Sequence, residues 1–164
     1  MTPCISAVQH LRRLRGGSQS HLLRASDGAS YVTKFQNNPQ HVRVLANEML
    51  ATRLGLALGL PLPRVEVIEV SEWLIAHTPD LRIQLAGAEI PCQSGKQLAS
   101  LYVGRESSGL TFDYLPHELL EGVRNLADFA RGACSGQVDM QCRWAASDLL
   151  AQDAEKPAIR RNLH

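Results

Sequence analysis

The chain has 164 residues, 45% hydrophobic and 20% charged, with 12 Gly and 8 Pro, which suits one ordinary globular domain and a fraction of another. That balance excludes a disordered tail, a collagenous repeat and a disulfide-dense miniprotein. A net charge of +1, from 17 basic against 16 acidic residues, leaves no footprint for nucleic acid or an anionic membrane.

Residues 8–15 (VQHLRRLR) read as a strand with its polar face to water, followed by a flexible turn, Gly16-Gly17-Ser18-Gln19-Ser20. A short apolar strand follows at 21–24, then Ser26-Asp27-Gly28 as a hairpin turn, since Asp-Gly readily takes positive φ. The β-branched and aromatic run Tyr31-Val32-Thr33-Lys34-Phe35 is the next strand. Over 40–58, Val42, Leu45, Ala46, Met49, Leu50, Leu54 and Leu58 recur at helical spacing and predict one apolar face, with Gly59 and Pro61 closing the helix. Residues 64–70 (RVEVIEV) predict a strand, 77–97 read as loops around short pieces, and 98–103 as a further strand. Pro116 opens a second helix over 116–131, with a stripe of Leu119, Leu120, Val123, Leu126, Ala127 and Ala130. Beyond Cys134 the pattern dissolves.

Cys4, Cys92, Cys134 and Cys142 form no CxxC and fit no zinc spacing, so they read as small hydrophobes in a reducing compartment. No apolar run reaches the ~18 residues of a membrane span, and no signal-peptide pattern opens the chain. A cytoplasmic location is expected. His21 and His41 read as surface or loop residues, and Trp73 as core.

Only three of the basic residues are lysine, at 34, 96 and 156, so a lysine inside an apolar strand stands out. The order is strand, glycine-rich turn, strand, hairpin, strand with Lys34, and helix with Glu48. Phosphates bind where backbone N–H groups converge without obstruction by Cβ atoms, which the turn at 16–20 offers. Lys34 is placed to reach phosphate oxygens beneath that turn, and Glu48, fourteen residues on, to hold it by an ion pair, as in kinase small lobes. Each piece taken singly has a plainer reading: a turn, an exposed strand lysine, a solvated helical glutamate. A small α+β interaction domain also stays open.

Residues 16–63 resemble the small lobe of bacterial HipA-like kinase domains. The resemblance is carried by the glycine-rich turn, Lys34, the Asn37-Asn38-Pro39-Gln40 connection, the Asn47-Glu48 pair and the Gly-Leu-Pro-Leu-Pro helix end. It continues weakly through residues 95–103, then clearly in Tyr114-Leu115-Pro116 and Val123-Arg124-Asn125. It implies an α+β, protein-kinase-like small lobe over 8–104, built of an antiparallel sheet and one long helix, with a large lobe beginning at 105–134. It further implies phosphoryl transfer from ATP, with Mg²⁺ in the complete family member, to a hydroxyl of an unidentified protein substrate. Carried over by position, Gly16, Gly17, Ser18, Gln19 and Ser20 would cradle the phosphates, Lys34 would pair with them, and Glu48 would orient Lys34.

The departure lies further on. Kinases of this type need a catalytic Asp, an Asn a few residues later and a metal-binding Asp beyond, and the family pattern after such a helix runs D-K-W-x-x-N-x-D-G-R-Q. Five residues on, where that pattern places its Asn, Asp139 has Trp144 and Asp148 has Asp153, so no Asp–Asn pair stands at that spacing. Shifting the codons from Gly136 onward by one base, with permitted third bases, yields D-K-W-T-C-N-A-D-G-R-Q; Met140 and Trp144 fix their shifted products without freedom. The expectation is a frame slip near 129–136, a chain stopped early in its large lobe, and an aberrant, poorly ordered tail at 135–164; the genomic codons across 125–164 decide it. The chain is accordingly expected to be catalytically inactive, the alternative being a non-catalytic nucleotide-binding or protein-interaction module.

Overall fold

A computed structural model describes residues 4–14 and 17–103, which up to Tyr102 belong to the first of two units, Met1–Tyr102. Gly16, the second helix, the Asp–Asn question and the tail lie outside the described residues. The elements are β1 (Ile5–Arg13), β2 (His21–Ala25), β3 (Ser30–Lys34), α1 (Val42–Ala57), β4 (Val65–Val70), α2 (Glu72–Ala76), β5 (Arg82–Leu85), β6 (Ala88–Pro91) and β7 (Gly95–Leu101). The unit is therefore α+β and rich in sheet.

The main sheet is a closed barrel in the order β1-β2-β3-β7-β4. Four of its ladders are antiparallel, but closure is made by a short parallel pairing of Ile5 with Ile68 and Ser6 with Glu69. This corrects the expected wholly antiparallel sheet: strand alternation fixes which side chains face inward, not whether the first and last strands meet. Two bulges in β1, between Ala7 and Gln9 and between His10 and Arg12, bend it enough to reach both neighbours. The interior holds Leu23, Tyr31, Phe35, Ile68, Val70 and Ala99, and Leu74, Leu81, Ile83 and Cys92 extend the core from α2 and the β5–β6 hairpin.

The turn between β2 and β3 forms as its sequence predicts. Gly28 takes φ 81°, and the Asp27 carboxylate accepts from the Ala29 N–H at 3.0 Å and the Tyr31 hydroxyl at 2.7 Å. The Tyr31 bond, more than the backbone one, holds the Asp27 carboxyl below its ordinary value. Because Tyr31 is buried, Asp27→Ala leaves its hydroxyl without an acceptor, with only the Arg64 guanidinium still beside it, and is expected to cost about 1 kcal/mol, read as a lower urea midpoint. Tyr31→Phe in the same background should recover part of that loss; an unmoved midpoint for Asp27→Ala refutes the assignment.

Helix α1 lies across the outside of the barrel wall. Only Leu45, Thr52 and Gly55 on it are buried, whereas Leu54 and Leu58 are 63% and 72% exposed. The predicted stripe is thus real as a helix signal and displaced in azimuth: Leu45 and Met49 face the barrel, while Val42, Leu50, Leu54 and Leu58 do not. Gly55 lets the following segment fold back, since a Cβ there would collide with Leu62 Cδ1 and the Leu60 N–H bonds to the Gly55 carbonyl at 2.9 Å. Trp73, expected in the core, is 67% exposed and stacks on His77.

The stretch read as loops contains a two-residue hairpin. Ala86 (φ 50°) and Gly87 (φ 83°) turn β5 into β6, with Leu85 opposite Ala88 and Ile83 opposite Ile90, the backbone that short hairpins favour.

Candidate functional site

Lys34 ends β3, opposite Leu98 of β7, on the wall facing α1. Its stem lies beside the cluster of Leu45, Val65 and Leu98, and its ammonium donates to Glu48 Oε2 at 2.6 Å. The two side chains are only 5% and 14% exposed. An ammonium carries three N–H donors, and Glu48 is the one partner of Lys34 among the described residues. A cation nearly removed from water with donors to spare can accept a second anionic ligand, and an anion is the ligand class that fits it.

The chain between β3 and α1 sets where Glu48 arrives. Buried Asn38 donates from Nδ2 to the Phe35 carbonyl at 2.6 Å and accepts from the Gln40 N–H at 2.8 Å, a side chain replacing the ladder that ends at Lys34. Asn37 ties the same connection to the far side of the unit, donating to the Pro91 carbonyl and accepting from the Gln93 N–H, both at 3.0 Å. His41 then caps α1, its Nδ1 accepting from the Arg43 N–H at 3.2 Å. The Asn-Asn-Pro-Gln stretch is thus the bracket that aims the helix.

The described part of the glycine-rich turn lies at the same end of the barrel as Lys34, because His21 pairs with Thr33 and the turn leads directly into His21. Its base is closed by the Leu14 N–H on the Ser20 carbonyl at 2.9 Å. Ser18 and Ser20 share a hydroxyl–hydroxyl bond of 2.9 Å. Gln19, with φ 47°, turns its side chain to β5: Oε1 accepts from the Gln84 N–H at 2.6 Å and from Arg13 Nη2 at 2.8 Å, and Nε2 donates to the Gln84 carbonyl at 2.9 Å. Of the residues singled out in the sequence, Lys34 and Glu48 meet, Gly17, Ser18 and Ser20 stand at their end of the barrel, and the Gln19 amide is spent elsewhere.

A histidine pair of one buried and one half-buried ring went unforeseen. His21 is fully buried, correcting its expected surface position. It alternates with Leu23 and Ala25 along β2, and that period-2 spacing with two core residues was the available signal. His21 Nε2 lies 3.1 Å from the Arg82 carbonyl, and Nδ1 lies 3.1 Å from His10 Nε2. A carbonyl only accepts, so His21 must carry its proton on Nε2 and accept at Nδ1. Burial first, then the nearby His10 and Arg13, push His21 down to about 4. Burial likewise pushes the adjacent Cys92 thiol up to about 12, which makes it unreactive.

A cleft of about 340 Å³ opens beside this pair, walled by His10, Arg12 and Arg13 on one side and Pro79, Asp80 and Glu89 on the other. Among the described residues, no group of three or more His, Cys, Asp or Glu side chains is placed to hold a metal. No helix among them is long and apolar enough to cross a membrane.

A family model described as HipA-like kinase matches residues 7–101, more than half of the 164 residues. No curated protein and no solved structure matches the chain.

Proposed function

The chain belongs to the HipA-like kinase family, and from that premise we propose that its first unit is a kinase-type small lobe that binds ATP at the end of the barrel where Lys34 and the glycine-rich turn lie. The observation that carries the reading is the buried Lys34–Glu48 pair, 2.6 Å long, whose cation has no other partner among the described residues. In this reading Lys34 holds phosphate oxygens, Glu48 keeps the ammonium aimed, and the peptide N–H groups at 16–20 cradle the remaining oxygens without Cβ interference at Gly16 and Gly17. ATP with Mg²⁺ would supply the transferable phosphoryl group.

The proposed function of the chain as written is binding without turnover. Phosphoryl transfer is largely positioning and charge stabilisation, and it needs an Asp to orient the acceptor hydroxyl and an Asn and Asp to hold metal. No Asp–Asn pair occupies the family's spacing after 131.

Mg²⁺–ATP is expected to raise the melting temperature of the 164-residue chain by a few degrees at saturating ligand, since a ligand at about 100 times its Kd adds about 2.7 kcal/mol. A Lys34→Met, Glu48→Leu double variant should melt normally and show no shift. Equal shifts in both proteins would overturn the assignment of the site, and transfer of labelled phosphate by the purified chain would overturn the proposal that it does not turn over.

A further inference from the structure

Gln19 does with a side chain what a strand does with a backbone. One primary amide pairs with both the N–H and the C=O of Gln84, at 2.6 and 2.9 Å. Those groups point outward because antiparallel strands alternate bonded and non-bonded residue pairs. The free edge of β5 is therefore filled by side chains, with His21 on the Arg82 carbonyl and Gln19 on Gln84. Arg13 completes the join, its guanidinium bridging Gln19 Oε1 at 2.8 Å and Glu89 Oε1 at 3.2 Å. Strand β1, the glycine-rich turn and both strands of the hairpin are thereby tied together.

A turn containing adjacent glycines is costly to order, and Gln19 sits at φ 47°, a conformation non-glycine residues seldom hold unless their surroundings impose it. Here the surroundings are the hairpin. We propose that the β5–β6 hairpin is a latch on the glycine-rich turn, and that Gln19 is a positioning residue that presets the turn's backbone for an anionic ligand while its side chain makes no contact with that ligand. A turn ordered beforehand binds more tightly because less freedom is lost on binding. The effect on nucleotide affinity rests on the ATP reading above; the latch itself does not.

Amide hydrogen exchange on the full chain without nucleotide tests the latch. Gln19→Ala is expected to speed exchange at the Gln84 amide and at residues 17–20 by about tenfold, leaving α1 and β7 unchanged. Gln84→Pro removes the same donor from an outward-facing edge position, where proline is tolerated, and should loosen residues 17–20 without altering the turn's own sequence. Unchanged exchange of the turn in both variants overturns the latch. ATP titration reads its consequence: an affinity about tenfold weaker in each variant is expected, and equal affinity in variants and parent overturns the positioning role. A parent chain that binds no ATP refutes the nucleotide reading, and the exchange result alone then decides the latch.

Discussion

Glu48→Ala alone is expected to destabilise the first unit by about 3–5 kcal/mol, because it leaves the Lys34 ammonium buried without its counter-charge. The side chain of Lys34 is 5% exposed and that of Glu48 14%, so neither can recover full hydration by a small rotation. Lys34→Ala should cost somewhat less, since the charge it leaves behind, on Glu48, is the more exposed of the two. The double variant Lys34→Met, Glu48→Leu should regain most of the loss, because it removes both desolvated charges and extends the apolar cluster of Leu45, Val65 and Leu98. Urea denaturation of the four proteins at neutral pH measures this. A Glu48→Ala loss below about 1 kcal/mol, or a double variant no better than the worse single one, would show that the pair is solvated and unimportant to the fold. The predicted pattern would also say why so costly an arrangement is kept: a hydrophobic pair would serve the barrel as well, so the charges serve a ligand.

Acidification should weaken the fold through His21. Its folded value is about 4 against an ordinary 6.5, so between those limits the unfolded chain binds the proton that the native one refuses. Stability from this group is complete above about pH 6.5 and falls as pH drops toward 4, by about 3 kcal/mol in all. Burial is the main reason, and the hydrogen-bond chain adds to it: a second proton on Nδ1 would point at His10 Nε2, 3.1 Å away, with the Arg13 charge nearby and Asp80 offsetting only part of it. His10, also lowered mainly by burial, adds in the same direction. Denaturation midpoints from pH 7.5 to 4.5 should fall more steeply in the parent than in His21→Gln, and the His21 ring resonances should titrate far below 6.5. Matching slopes would place the acid sensitivity elsewhere.

Much of the barrel was legible because its signals are local. Alternation in β2, β3 and β4, the Asp-Gly turn and the helical spacing of α1 each follow from a few neighbouring residues. Period alone could not say which way α1 turns, since Leu45 and Leu54 fit one stripe equally well and only the wall they meet separates them. The hairpin β5–β6 stayed hidden because each strand has four residues, one inward isoleucine apiece, and an Ala-Gly turn in place of Asn-Gly. Helix α2 has five residues, too few for any period to register. At the site, the pairing of Lys34 with Glu48 follows from the order of the elements read with the kinase small-lobe arrangement, each residue alone having a plainer reading. Gln19 could not be understood in that way, because its partner is a peptide group 65 residues further along the chain, and any residue type at that place could have supplied it.

The barrel's strand order also constrains when the site can exist during synthesis. Strand β7 is the last of the five to be made, yet it lies between β3 and β4. The meander β1–β3 and helix α1 have their residues available early, but Lys34 lacks its neighbour Leu98 until the ribosome has passed that point. Until then the wall that houses the ammonium is open, and the same surface is a pair of unmatched strand edges. Delivery of residues 95–101 joins β3 to β4, removes both edges and closes the apolar floor beneath the lysine in one event.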